Sequence, residues 1–291
     1  MLLRQLEYLS ALAHEGHFGR AAAACHVTQP ALSVAIRKLE GELGIELVRR
    51  GRGYDDLTPQ GRELLQWARQ TLASADGLLS EATRLAGELS GRLRLGVIPT
   101  AMPVVAEITA PLLLDHPSID LEIRSLSSLE IADGLESFSI DAGITYLDNE
   151  PLGQLLGRPL YTERYLYLSG EEGAAETLPW TALDGAALCL LSAEMQNRRI
   201  VEAALRQSGA RARARIESNS ITALLSFARA GWASIVSNTW LGLYGVPEGM
   251  RAIPLVAPEV SYAIGIVTRD TELQPPAVSA LLERAPSMAA S

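Results

Sequence analysis

From Pro59 to Leu89 the chain carries one unbroken apolar seam. Leu65, Ala68, Leu72, Ala75, Leu79, Ala82, Ala86 and Leu89 follow one another at alternating spacings of three and four residues. That period belongs to a helix, and its persistence belongs to the seam of a coiled coil. A helix this long cannot bury such a stripe by itself. The segment therefore separates two folding units and needs a partner surface; the competing arrangement packs it on its own C-terminal domain. Alanine at half the seam positions permits close approach, and Gly77 is a weak point in an otherwise good helix.

N-terminal to this seam the spacing predicts three short helices. Residues 2–14 place Leu2, Leu3, Leu6, Leu9, Leu12 and Ala13 at helical intervals, and Arg20 to Cys25 form a second, alanine-rich helix ending near His26-Val27. Thr28 then suits an N-cap, with Pro30 in the first turn where its missing N–H does no harm. At about 100° per residue, Leu32, Ala35, Ile36, Leu39 and Leu43 share one side of the third helix. Gln29, Pro30, Ser33, Val34, Arg37 and Lys38 occupy the other. Two helices, a tight turn and this third helix make a helix-turn-helix, in which small alanines let one helix lie close across the next. Gln29, Ser33 and Arg37 offer an amide, a hydroxyl and a guanidinium to base edges and phosphates, and Val34 suits a thymine methyl. The plain alternative is three packed helices without a DNA role.

Glu46 to Thr58, ELVRRGRGYDDLT, reads as a hairpin wing, its glycines supplying the turn while Arg49, Arg50 and Arg52 reach toward phosphates or a minor groove. A solvated surface turn would show the same composition. The formal charge is −9, yet residues 1–95 hold 12 basic and 11 acidic side chains, so the excess acid lies C-terminal. Attraction to DNA must then come from placement rather than bulk charge.

These residues carry a resemblance. Phe18, Ala21-Ala22, Val27, Gln29-Pro30-Ala31-Leu32-Ser33, Ile36, Leu39-Glu40, Leu43-Gly44, Leu47, Arg50, Leu57-Thr58 and Gly61 match, in order and spacing, the DNA-binding domain of LysR-type transcriptional regulators. His17 stands where that family usually has a serine, Gly19 replaces a hydroxyl residue and Val48 replaces a phenylalanine. The resemblance implies that the seam is a linker helix pairing antiparallel with a second subunit. Self-association as a dimer follows, with tetramers expected as in many family members. A symmetric dimer reads double-stranded DNA as an interrupted inverted repeat.

From Arg92 onward strands and helices alternate, which implies a largely parallel sheet. RLRLGVI, 119–125 and IDAGIT read as strands, with helices at 102–116 and in SSLEIADGLES. RYLYLS, AALCLLS, RARIES and ASIVS form a second set with helices at 194–207 and 220–230, and SYAIGIVT with the helix 276–284 returns to the first. Two α/β lobes joined by crossing segments describe a hinged binding fold. It resembles the LysR effector domain, similar in turn to periplasmic binding proteins. The expected fold is an N-terminal all-α winged helix-turn-helix (1–58) and linker helix (59–89), then a C-terminal two-lobed periplasmic-binding-protein-like α/β domain (90–291). Lobe I spans 92–160 and 268–291; lobe II spans 161–267.

In such a fold a ligand lies between the lobes, beyond the carboxyl ends of strands and beside helix N-termini. Pro99 and Thr100, Ser125, Ser127 and Ser128, Thr145 and Tyr146 take those places in one lobe; Gln196, Asn197, Ser218, Asn219 and Ser220 take them in the other. The family's effector contacts cluster at matching places, which favours Thr100, Ser127, Ser128, Asn219 and Ser220. Each could instead be a cap serving only its own helix. Helix starts rich in hydroxyls suit a small anionic effector, with Arg198 and Arg199 nearby as sources of charge.

Composition excludes little else. Three of the four histidines, His14, His17 and His26, lie in the N-terminal helices, and no nucleophile elbow, phosphate-binding glycine loop or metal cluster is visible, so neither catalysis nor a cofactor is expected. Cys25 and Cys189 stand in different domains without metal-ligand spacing, and nothing indicates a disulfide switch. The N-terminus is too charged for a signal peptide and no apolar run is long enough to span a membrane, which argues for a cytoplasmic protein and against a transport receptor. The expected function is a ligand-responsive, sequence-specific transcriptional regulator that acts on DNA and on polymerase recruitment.

Overall fold

The computed structural model describes residues 1–50, 54–148, 153, 155–170 and 175–285, the side chains of Arg50, Tyr54 and Asp55 apart. It forms two compact units, Met1–Glu88 with Glu136–Ser139 and Leu89–Leu135 with Ile140–Ser291.

The first unit is built from α1 (Leu3–Glu15), α2 (Phe18–Ala24), α3 (Gln29–Leu43), β1 (Val48–Arg50), β2 (Tyr54–Leu57) and α4 (Pro59–Leu85). Leu6, Leu9 and Leu12 of α1 close on Ala21 and Ala22 of α2, on Leu32, Ile36 and Leu39 of α3, and on Leu65 and Ala68 of α4. Each fully buried leucine or isoleucine contributes about 1.5–3 kcal/mol of transfer free energy. α2 begins at Phe18, two residues before the expected start, because Nδ1 of His17 accepts from the N–H groups of Gly19 (3.0 Å) and Arg20 (3.4 Å). Leu43, placed on the apolar side by its spacing, is 39% exposed, and Glu40 goes inward in its stead. β1 and β2 pair antiparallel as the expected hairpin, with an irregular step between Arg49 and Arg50.

α4 stops at Leu85, followed by Gly87 at φ +94°, a conformation glycine adopts without strain. The seam read through Ala86 to Leu89 therefore ends early. Leu89 is not a seam residue but is buried in the core of the second unit. Gly77 does not interrupt the helix.

The second unit opens with β3 (Gly91–Val97), a 3-10 turn (Pro99–Val104), α5 (Val105–Asp115), β4 (Ile119–Ser125), α6 (Ser128–Glu136), β5 (Ala142–Tyr146) and β6 (Leu155–Ser169). β7 (Leu178–Pro179), a 3-10 turn (Trp180–Leu183), β8 (Ala187–Leu191), α7 (Gln196–Ser208), β9 (Arg213–Ser218) and α8 (Ile221–Arg229) follow. β10 (Ser234–Ser237), α9 (Asn238–Tyr244), β11 (Arg251–Val256), β12 (Ser261–Arg269) and α10 (Pro276–Arg284) complete it. The sheet runs β4-β3-β5-β12-β6-β10-β8-β9. β4, β3 and β5 are mutually parallel, as are β9, β8 and β10, so each end of the order is one α/β lobe. Between them run the antiparallel strands β12 and β6. β6 pairs with β12 from Leu155 to Arg164, then with β10 from Tyr165 to Leu168, and so passes from one lobe into the other. The helix expected over 102–116 is divided between the 3-10 turn, which contains Pro103, and α5, which starts at Val105.

Candidate functional site

On α3 the hydroxyl of Thr28 accepts from the N–H of Ala31 at 3.4 Å, the αL residue Gly44 closes the other end, and Leu32, Ile36 and Leu39 are fully buried. The opposite side stands free: Gln29, Pro30, Arg37 and Lys38 are exposed, Ser33 is half-buried and Val34 is 58% exposed. Arg37 donates to the Ser33 hydroxyl and carbonyl at 3.4 Å each, bonds long enough to be exchanged for a stronger acceptor. The six residues expected on a reading face are thus together on one helix.

The wing is fixed to that helix by Glu40. Its buried Oε1 accepts from the N–H groups of Leu47 (3.0 Å) and Val48 (3.2 Å), a link that the helical period alone does not reveal. At the same open base of the hairpin Thr58 donates to the Glu46 carbonyl (2.6 Å) and accepts from the N–H of Gly61 (2.9 Å). A side chain at Gly61 would lie 2.2 Å from the Leu47 carbonyl oxygen, so only glycine fits. Arg49 is exposed; the side chain of Arg50 and the whole of Arg52 lie outside the described residues. Asp56, opposite Arg49, is held below the usual carboxylate range by its bond to Arg62, by the Leu57 N–H and by the charge of Arg49.

In the second unit a narrow cleft is lined by Ile98, Pro99, Thr100, Ser127, Ser128 and Tyr146 from one lobe and by Leu191, Met195, Gln196 and Asn197 from the other. The cleft has room for roughly one water molecule. Seven of the residues expected at an effector site meet here: Pro99, Thr100, Ser127, Ser128, Tyr146, Gln196 and Asn197. Thr145 stands behind them, its hydroxyl 3.0 Å from that of Ser128. Ser125, Ser218, Asn219 and Ser220 do not line the cleft. Ser220 caps α8 through the N–H of Ala223, and Ser218 accepts from the N–H of Ser220, so these two serve their own junction. Ser127 does both jobs, lining the cleft while exchanging cap bonds with Glu130. Arg198 is bound to the Leu191 carbonyl and to Glu202 and Glu217, and Arg199 to Gln196 and the Glu194 carbonyl. Neither guanidinium is spare. Met195, at the cap of α7, makes no side-chain cap bond to that helix.

Sequence reasoning missed a buried acid bonded to Tyr146 and Asn197 of the lining. Glu163 of β6 is fully buried, its Oε1 accepting from the Tyr146 hydroxyl at 2.6 Å and from the Asn197 amide at 3.4 Å. Burial pushes its carboxyl above the ordinary range, and burial together with Glu163 pushes the Tyr146 phenol up. The period-2 run Tyr161, Glu163, Tyr165, Tyr167, all buried, was the available signal.

A reading helix with a wing, and a hinged two-lobed receptor, in one chain define a class: DNA-binding proteins governed by a small molecule. Residues 3–62 match the family model described as bacterial regulatory helix-turn-helix protein, lysR family, and residues 86–289 match the LysR substrate binding domain. The chain belongs to the LysR family and is a DNA-binding transcriptional regulator with an effector-binding domain, not an enzyme. It is 31% identical over 278 residues to the DNA-binding transcriptional dual regulator OxyR of Escherichia coli K12, covering 92% of this chain and 90% of that one. The hydrogen peroxide-inducible genes activator of Haemophilus influenzae is 30% identical over 277 residues, covering 92% and 91%. Among solved structures, a full-length OxyR from Pseudomonas aeruginosa carrying a cysteine-to-aspartate substitution superposes with a TM-score of 0.76 at 28% identity, covering 98% and 94%. The complex of full-length CbnR with its target DNA shares the fold, with a TM-score of 0.67 at 23% identity, covering 98% and 99%.

Proposed function

We propose that α3 enters the major groove, with Gln29, Pro30, Ser33, Val34, Arg37 and Lys38 at the bases and phosphates while Arg49, Arg50 and Arg52 of the wing grip the flanking backbone. The observation that carries this is the division of α3 into a fully buried side and a free polar side, fixed at both caps. α4 supports self-association: Leu72 still packs on the head's core, but Trp67 is 68% exposed, and farther along the helix Leu78, Leu79 and Leu85 are 71%, 67% and 73% exposed. A dimer through α4 presents two reading helices to an interrupted inverted repeat, and pairing of dimers gives a tetramer. The effector domain receives a small anionic metabolite in the cleft at Pro99, Thr100, Ser127, Ser128, Tyr146, Gln196 and Asn197. Thr145 supports them through the Ser128 hydroxyl, whereas Ser125, Ser218, Asn219 and Ser220 do not line this cleft. The effector acts by preferring one arrangement of the lobes, which shifts the population of heads placed to engage DNA and RNA polymerase. Such work is done in the cytoplasm.

The Haemophilus influenzae relative is named for hydrogen peroxide, but a thiol-based response has no support here. Cys189 is fully buried in β8, Cys25 is half-buried, and burial raises both thiols, with Glu7 adding to the effect at Cys25. A reactive cysteine needs the opposite surroundings.

Footprinting by the full-length chain on the DNA upstream of its own gene tests the reading. Two protected half-sites on one face of the duplex are expected, and absence of selective protection at low protein concentration would refute it. Thr100→Val is expected to abolish effector response while leaving that footprint intact.

A further inference from the structure

Gly19 lies inside α2, where a glycine costs helix stability relative to alanine. Its backbone does not ask for one, since its φ is not in the positive region. Space is the reason. A Cβ at Gly19 would lie 3.0 Å from Cε1 and 3.2 Å from Nδ1 of His17, closer than ordinary van der Waals contact. The imidazole occupies that place because it caps the helix, its Nδ1 accepting from the N–H groups of Gly19 and Arg20. His17 and Gly19 therefore act as one unit: the ring needs the missing side chain, and a side chain would lift the ring and undo the cap.

The third neighbour of that empty position comes from the reading helix. Oε1 of Gln29 would be 3.7 Å from the same Cβ. Gln29 is exposed at the first position of α3, and among the described residues no hydrogen bond holds its amide. Both Oε1 and Nε2 are available. A free glutamine amide meets adenine in the major groove with two bonds, Oε1 accepting from N6 and Nε2 donating to N7. A hydroxyl carried at residue 19, one bond beyond the Cβ, would reach Oε1 and donate to it. The amide would then be held to α2 instead of turned to a base.

We propose that His17 and Gly19 together set the base specificity of Gln29. By capping α2 with a ring over a bare Cα, they keep the Gln29 amide untethered, and each half-site carries an adenine opposite it. The proposal rests on α3 being the reading helix and names what one of its residues selects. Both His17 and Gly19 are positioning residues, acting through Gln29 without touching the base.

The test uses the full-length chain and duplexes randomised over two half-sites, with the bound sequences read after selection and thermal unfolding followed for each variant. The wild type is expected to favour adenine at one position of each half-site by about 5- to 150-fold, the range of a bidentate pair, and Gln29→Ala to lose that preference there and nowhere else. His17→Ser keeps a capping oxygen and leaves residue 19 bare, so it is expected to retain the preference. Combining His17→Ser with Gly19→Ser should melt no lower than His17→Ser alone, yet lose the adenine preference while the other positions stay as selected. Combining His17→Ser with Gly19→Ala adds the carbon without the hydroxyl and should keep the preference. Gly19→Ser by itself should lower the thermal midpoint by displacing the ring, a loss that adding His17→Ser recovers. A role in helix stability alone would move the midpoints and leave every base position unchanged. Full adenine preference in the chain carrying both serine substitutions overturns the role of the pair, as does its loss in His17→Ser alone or its persistence in Gln29→Ala. Failure of the wild type to select any sequence would bring down the reading helix itself, and the proposal with it.

Discussion

Arg37 shows how a single side chain divides between two layers of the protein. It sits on α3 among buried neighbours, and among the described residues its guanidinium is held by two long bonds to Ser33. Arg37→Ala should weaken specific DNA binding by about 1–3 kcal/mol if the guanidinium meets a base, read by gel shift, and leave effector affinity unchanged. Glu40 carries the opposite kind of role. Glu40→Ala leaves the buried N–H groups of Leu47 and Val48 without their acceptor, at about 1–3 kcal/mol apiece, and a lower thermal midpoint with weakened DNA binding is expected. Glu40→Gln keeps an acceptor oxygen and should recover most of the loss. The face holding Arg37 was legible because helical spacing alone assigns it. Glu40 was not, since its partners lie seven and eight residues ahead in a strand, beyond the reach of a period. His17 is a third case: the residue that departs from the family's usual serine still caps α2, through a ring nitrogen instead of a hydroxyl.

Among the elements, α4 was read from its period and β6 only in part. The seam gave the helix its existence and its face, but the stop at Leu85 depends on the αL backbone of Gly87, and Leu89 was drawn away by the core that follows. Leu79 is 67% exposed, so Leu79→Glu removes apolar surface available to a partner without opening the core. The full chain is expected to fall from dimer to monomer by light scattering, with its thermal midpoint at high dilution unchanged; a persistent dimer would move the interface off α4. In β6 only RYLYLS stood out, because Pro159 and the charges at Arg158 and Glu163 break the apolar pattern of its first half. Its length comes from pairing with β12, a partner about a hundred residues away in sequence. α9 and β11 were missed for a similar reason, being short and defined by tertiary contacts rather than by pattern.

At the scale of the whole molecule the raised carboxyl of Glu163 couples folding to pH. A group whose folded-state pKa lies above its unfolded one binds its proton more tightly when folded. Its stabilising share is therefore complete below the ordinary value of 4.5 and is lost as pH rises from there through the raised value. Denaturant titration of the full chain between about pH 5 and about pH 8 should show stability falling by up to about 1.4 kcal/mol per unit from this group, a slope absent from Glu163→Gln. The two α/β lobes and their order were legible from alternation of strand and helix, and much of the cleft from the rule that strand ends and helix starts converge. The buried carboxyl was not, because its meaning lies in neighbours that three separate elements bring to it. The stop at Gly87 has a consequence of another kind. Leu89 already belongs to the core of the second unit while Ala86, Gly87 and Glu88 belong to neither core, so the covalent joint that follows α4 is a few residues long. A head grafted from another regulator at that joint would inherit this receptor's signal, which makes the chain a module for rewiring which genes obey which metabolite.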